Sequence, residues 1–209
     1  MIRLKVCGLR DSENITAVAA LQPDYMGFIF WPTSSRYVEN TTPKVSDSIK
    51  KTGVFVDANP MFVQDHINKH GLRALQFHGQ ESPEYCAKFC TPNMEIIKAF
   101  SVDEEFDFAV LAPFLNSCDY FMFDTKGKLP GGNGYTFDWK RLLDYPYEKP
   151  FFLSGGIGID QLPKLSALLK ATLPLYAIDV NSKFETAPAI KNIATLTQFK
   201  TQWYELQRG

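Results

Sequence analysis

Eight short apolar runs recur along the chain, at residues 4–6, 25–30, 53–56, 74–77, 95–100, 120–124, 151–153 and 176–180. Several are near-continuous hydrophobics rather than alternating ones, the pattern of parallel strands covered on both faces. Longer segments with helix-start signals lie between them. Asp11-Ser12-Glu13-Asn14 caps a helix running to about Leu21. Asn59-Pro60 puts proline at a first helical position, and Gly71 ends that helix. Ser82-Pro83-Glu84 repeats the signature, and Asp103-Glu104-Glu105 places acids in a first turn, where they suit the helix dipole. Weaker patterns predict helices over 137–143 and 160–170, and a clearer one predicts a helix over 190–207.

Eight strands, each followed by a helix or a connecting segment, predict a (β/α)8 TIM barrel. The chain has 209 residues, near the lower limit of about 200 for that fold, so its connections must be short. A doubly wound open sheet leaves two of the strands unassigned. No linker, repeat or low-complexity stretch interrupts the pattern, so residues 1–209 are read as one catalytic domain.

Composition narrows the partners. Lysine plus arginine number 22 against 23 acids, so no bulk field points to nucleic acid or to an anionic membrane. An anionic ligand must then be captured locally. No apolar stretch approaches the ~18 residues of a membrane span, and the N-terminus lacks a signal-peptide pattern. The cytoplasm is the expected location. The four cysteines, Cys7, Cys86, Cys90 and Cys118, are too sparse for a disulfide framework and are expected as free thiols. Cys86 and Cys90 share a helical spacing, which packing explains. No metal site is expected.

In a barrel, chemistry gathers at strand C-termini and the loops just after them. The first run ends in Val6-Cys7-Gly8, where a thiol can act as base or nucleophile if its neighbours lower its pKa. The sixth ends in Phe123-Asp124-Thr125, and a carboxylate straight after an apolar run is costly to desolvate without a task or a partner. Asp124 is therefore a candidate acid or base across the mouth from Cys7. After the second run, Thr33-Ser34-Ser35-Arg36 offers a guanidinium that could grip a carboxylate. Three late stretches, Gly131-Gly132-Asn133-Gly134, Ser154-Gly155-Gly156-Ile157-Gly158 and Asp179-Val180-Asn181-Ser182, suit the phosphate cradle that barrels build after strands seven and eight. Gly132, Gly134, Gly155, Gly156, Asp179 and Ser182 are the candidate substrate-binding residues that these stretches supply. None of these stretches has nucleotide-loop spacing.

Taken in order, these pieces resemble the phosphoribosylanthranilate isomerase family. The resemblance runs nearly end to end through Lys5-Val6-Cys7-Gly8-Leu9, Ser35-Arg36-Tyr37-Val38, Leu75-Gln76-Phe77-His78-Gly79, Phe123-Asp124-Thr125, Gly131-Gly132-Asn133-Gly134, Leu153-Ser154-Gly155-Gly156 and Asp179-Val180-Asn181-Ser182 with Glu185 and Pro188. It implies an Amadori rearrangement of a phosphorylated aminoaldose in tryptophan biosynthesis, with Asp124 as general acid, Cys7 as general base and Arg36 on the anthranilate carboxylate. It implies a small-molecule phosphorylated substrate, no cofactor, and a monomer or homodimer. The Cys7 thiolate should then be stabilised by the site, because a thiol is mostly protonated at neutral pH.

The chain departs from the family pattern at Asn133, Ser35, Lys183, Ala189 and Asn192, which leaves phosphate contacts and loop geometry open but removes no catalytic group. Rival phosphosugar barrels fit less well. An indole-3-glycerol-phosphate synthase needs a lysine on an early strand that is missing from the pattern, and a histidine-pathway aminoaldose isomerase would carry aspartate at the position of Cys7. A metal-dependent epimerase needs several His and Asp ligands at strand ends, and only His78 qualifies. A non-catalytic phosphometabolite-binding barrel predicts loss of Cys7 or Asp124, and both are present.

Overall fold

The apolar runs are strands, and their two faces do different work. In the computed structural model, which describes residues 1–125 and 138–208, Leu4 and Val6 turn outward into the layer of helices while Lys5 between them turns into the barrel. Phe121 and Phe123 likewise face outward, and Met122 faces inward. Both faces are therefore covered, which produces the near-continuous hydrophobic runs.

The strands are β1 (Arg3–Val6), β2 (Tyr25–Ile29), β3 (Lys50–Phe55), β4 (Ala74–Phe77), β5 (Glu95–Val102), β6 (Tyr120–Thr125), β7 (Phe151–Leu153) and β8 (Leu175–Val180). They pair in sequence order, all parallel, and close where Arg3 of β1 lies opposite Ala177 of β8 and Val6 opposite Val180. This is the (β/α)8 barrel that the strand count predicts. Strand β3 begins three residues earlier than expected, at Lys50. The polar Lys50-Lys51-Thr52 is strand because it lies at the N-terminal rim, where Lys50 bonds Glu95 and Lys51 Nζ donates to the carbonyl of Pro43 at 3.2 Å. A ring of side chains plugs that end. The Tyr25 hydroxyl donates to Glu95 Oε2 at 2.8 Å and meets the Tyr176 hydroxyl at 3.0 Å.

Helix α1 (Ser12–Ala20) is capped by Asp11, α2 (Pro60–His70) by Asn59 with Gly71 left-handed at its end, and α3 (Pro83–Ala87) by Ser82. Those caps match the sequence reading. Helix α3 stops at Ala87, so Cys86 is buried while Cys90 lies beyond it, exposed, and the two do not form a continuous stripe. The helix expected at Asp103 begins later, as a 3-10 helix over Phe108–Phe114 that contains Pro113 and is capped by Asp107, whose side chain accepts from the Ala109 N–H. A second 3-10 helix, Trp139–Asp144, takes the place of the one expected over 137–143. Helix α4 (Leu162–Leu169) follows a 3-10 turn.

Two connections break the alternation. No helix joins β2 to β3: residues 30–49 form a long irregular loop. After β8 comes a 3-10 turn, Ser182–Phe184, and then a small antiparallel ribbon of β9 (Glu185–Ala187) and β10 (Ile190–Lys191). The last helix, α5 (Ile193–Leu206), consequently starts three residues later than predicted, with Asn192 accepting from the Thr195 N–H as its cap. No helix among the described residues is long and apolar enough to cross a membrane.

Candidate active site

At the C-terminal mouth the inward faces of the strands become polar. Lys5 is fully buried, and its Nζ donates to Gln76 Oε1 at 2.8 Å and to Asp179 Oδ1 at 2.9 Å. The Ser154 hydroxyl donates to the other oxygen of Asp179 at 3.3 Å. This bridge across β1, β4, β7 and β8 is the floor of the site. Burial opposes a charge on Lys5, but the Asp179 carboxylate and the Cys7 thiol outweigh it and raise its pKa.

Above that floor opens a cavity of about 240 Å³, lined by Cys7, Arg36, Asp124, Gly155, Gly156, Asp179, Asn181 and Ser182 among others. The candidate residues named from the sequence that fall in the described chain thus meet in one space. Gly132 and Gly134 lie outside the described residues.

Cys7 follows β1 directly, with its N–H donating to the carbonyl of Val180 at 2.9 Å. A side chain at Gly27 would reach within 2.6 Å of its sulfur, so glycine there makes room for the thiol. Burial pushes the Cys7 thiol up, against the pull of Lys5 and Lys191, and Asp179 adds to the rise. Lys5 and Lys191 favour the thiolate, in the sense the family resemblance implies, while burial and Asp179 favour the thiol.

Asp124 stands near the end of β6, with Oδ1 accepting from the Thr125 N–H at 2.9 Å and Oδ2 lying 3.4 Å from His78 Nε2. His78 meets Gln76 Nε2 through Nδ1 at 2.8 Å. Gly155 is left-handed at φ +93°, and a Cβ there would strike the Thr125 hydroxyl at 2.2 Å and Asp124 Oδ1 at 2.9 Å. Gly156 is also left-handed, at φ +67°. The N–H groups of these two glycines donate to no other described residue, as a loop that presents donors to an anion requires.

Arg36 lies in the β2–β3 loop, on the cavity wall. Its Nε donates to both oxygens of Glu185, at 2.9 and 3.1 Å, and Nη2 donates to Oε2 at 2.7 Å. Nη1 has no partner among the described residues. Burial opposes the charge on Glu185, but Arg36 and Lys191 hold its carboxyl below the usual range. Lys191, also buried, donates to Glu185 Oε1 and to Asn181 Oδ1, both at 2.7 Å.

The sequence reading did not single out Lys5, Gln76, Asn181 or Lys191. A lysine in a strand or beside a charged loop reads as solvent-facing, and only the register of the closed barrel turns Lys5 inward. Glu185 was noted only as a piece of the family resemblance, with no role attached to it.

A closed barrel of eight parallel strands with an acid, a thiol and an arginine around one cavity at its C-terminal mouth defines the class, a (β/α)8-barrel enzyme. The family model described as N-(5'phosphoribosyl)anthranilate (PRA) isomerase matches residues 4–202. A relative from Phocaeicola vulgatus, the N-(5'-phosphoribosyl)anthranilate isomerase, is 40% identical over 200 residues, covering 95% of this chain and 96% of its own. Among solved structures, phosphoribosyl anthranilate isomerase from Thermotoga maritima superposes with a TM-score of 0.81 at 27% identity, covering 98% of this chain and 100% of that one. A structure of the enzyme in complex with reduced 1-(o-carboxyphenylamino)-1-deoxyribulose 5-phosphate superposes with a TM-score of 0.79 at 26% identity, covering 98% and 100%. The chain belongs to the phosphoribosylanthranilate isomerase family.

Proposed function

We propose that this isomerase rearranges N-(5-phosphoribosyl)anthranilate to 1-(2-carboxyphenylamino)-1-deoxyribulose 5-phosphate in tryptophan biosynthesis, with Asp124 as general acid and Cys7 as general base. The observation that carries the reading is the shared cavity, which the Asp124 carboxyl and the Cys7 thiol both line, at the C-terminal ends of strands β6 and β1 in one barrel mouth.

The chemistry divides between those two groups. Asp124 delivers a proton to the furanose ring oxygen, the C1–O bond breaks, and the lone pair of the anthranilate nitrogen forms the Schiff base. Cys7 then takes the proton from C2, and the electron pair of that C–H bond neutralises the iminium to give an enolamine. Tautomerisation yields the ketone. One proton is delivered and another removed on a single sugar, so two titratable groups in different environments suit the task. Each step of this type contributes about 10²- to 10⁴-fold.

Binding follows the ends of the substrate. The phosphate lies against the Gly155 and Gly156 N–H groups and the Ser182 turn; the family resemblance assigns Gly132 and Gly134 to it as well. The anthranilate carboxylate pairs with Arg36 through Nη1, the edge that Glu185 leaves open. Asp179 lines the cavity and contributes through Lys5 and Ser154, which engage both of its oxygens. The whole chain acts as one catalytic domain in the cytoplasm.

The test is turnover of phosphoribosylanthranilate made in situ, followed by loss of its fluorescence. Wild-type protein should consume the substrate at a rate that added EDTA leaves unchanged. No consumption, or consumption abolished by the chelator, contradicts the proposal.

A further inference from the structure

The wall beside Cys7 holds an unequal number of charges. Arg36 and Lys191 bring two cations to a single carboxylate, Glu185. Among the described residues the hydrogen-bond partners of Lys191 Nζ are all acceptors: Asn181 Oδ1 at 2.7 Å, the Asn181 carbonyl at 3.5 Å and Glu185 Oε1 at 2.7 Å. An ammonium with three donors satisfies that arrangement.

We propose that Lys191 and Glu185 are positioning residues for the reaction: Glu185 fixes the orientation of Arg36, Lys191 ties Glu185 to Asn181, and the surplus positive charge favours both the Cys7 thiolate and an anionic substrate group. The inference rests on the reading of Cys7 as base and Arg36 as carboxylate partner, and it deepens that reading.

Three features support it. The main chain of Lys191 is clamped at both ends by Asn14 of α1, whose Nδ2 donates to the Lys191 carbonyl at 2.9 Å and whose Oδ1 accepts the Lys191 N–H at 2.8 Å. The small ribbon is thereby fastened beside the loop that carries Cys7. A Cβ on Gly8, the residue after the thiol, would lie 2.4 Å from Asn181 Oδ1 and 2.8 Å from Arg36 Cδ, so Asn181 and Arg36 pack directly against the chain that carries the thiol. Lys5 and Asp179 face Cys7 from the barrel floor; on the wall, burial lowers the Lys191 pKa while Glu185 and Cys7 oppose that fall, and Cys7 adds to the rise that Glu185 gives Arg36, a coupling that a role confined to fastening the ribbon would not require.

The charge argument makes a signed prediction that simple loss of packing does not. The pH dependence of Cys7 alkylation by iodoacetamide, read on the Cys7 peptide by mass spectrometry, reports the thiol in the full-length free enzyme. Lys191→Met removes a cation and should move the midpoint up by about one pH unit. Glu185→Gln removes the anion that offsets two cations and should move it down. Lys191→Arg should stay near wild type. In turnover, Glu185→Gln should raise KM by about tenfold or more, with a smaller change in kcat. Midpoints that move in the same direction in Lys191→Met and Glu185→Gln, or do not move, overturn the proposal. If Lys191→Met fails to fold, the fall expected for Glu185→Gln decides alone. The titration is made without substrate, so its outcome is separate from that of Cys7→Ser turnover, which tests the underlying reading.

Discussion

A lysine ammonium taken wholly out of water costs several kcal/mol unless acceptors replace its hydration. Lys5 meets this demand with Gln76 and Asp179, inside a barrel whose lower layer is Tyr25, Ala74, Ile97, Met122 and Phe152. Lys5→Met should therefore destabilise the protein by about 3–5 kcal/mol, because it leaves the Asp179 carboxylate buried without its cation. Urea unfolding measures this, and a loss below about 1 kcal/mol would show that the bridge carries no such load. Arg36 belongs to a different case, half-buried and pointed at the cavity. Arg36→Ala should mainly raise KM, by roughly 10- to 100-fold as expected for a lost charge-assisted pair, and an unchanged affinity for a carboxylate-bearing product analogue would remove it from the site. The residues legible in the sequence, Cys7, Asp124 and Arg36, are reactive groups placed just after strands. Lys5, Gln76 and Lys191 were not legible, because their roles depend on which neighbour the closed barrel puts opposite them.

Secondary elements were read best where a local rule decides them. Asp11, Asn59 and Ser82 each cap the helix that their sequence announces, since a side-chain oxygen there satisfies an N–H that no helix carbonyl can reach. The β2–β3 loop agrees with the sequence reading, which places Arg36 in a loop and no helix between those strands, whereas the β9–β10 ribbon was not foreseen, because tertiary contacts rather than caps hold it. Ala189, at φ +68°, adopts the left-handed turn of that ribbon, a conformation that favours glycine. Two elements make predictions. Gly155→Ala forces a methyl against Thr125 and Asp124, so it should lower kcat by an order of magnitude or more, in line with the sensitivity of catalysis to misplacements of about 1 Å; steady-state kinetics would check this, and a near-normal kcat would show that the loop does not set Asp124. The β2–β3 loop is tied to α2 where His70 Nδ1 lies 3.2 Å from the Thr42 hydroxyl. Burial, aided by His66, Lys69 and Lys51, lowers the His70 pKa to about 4. The folded pKa is depressed, so below pH 6.5 the unfolded chain takes up a proton that the folded protein refuses. Stability should fall as pH drops from about 6.5 towards 4, by up to about 1.4 kcal/mol for each unit of depression. A His70→Leu variant should show a shallower decline in Tm over that window, and an identical slope would exclude His70 as its source.

At the scale of the whole molecule, the architecture was legible because eight buried parallel strands in so short a chain have few other ways to close. The location of the site followed from the same rule, since strand C-termini meet at one face. The chemistry did not follow from the fold alone, because barrels host many reactions. It required the particular pair on β1 and β6, and the most direct test acts on that pair. Turnover of phosphoribosylanthranilate by Cys7→Ser and by Asp124→Asn, with circular dichroism to verify the fold, should fall by at least about 10²-fold in each. A correctly folded variant of either kind with near-wild-type kcat would contradict the account.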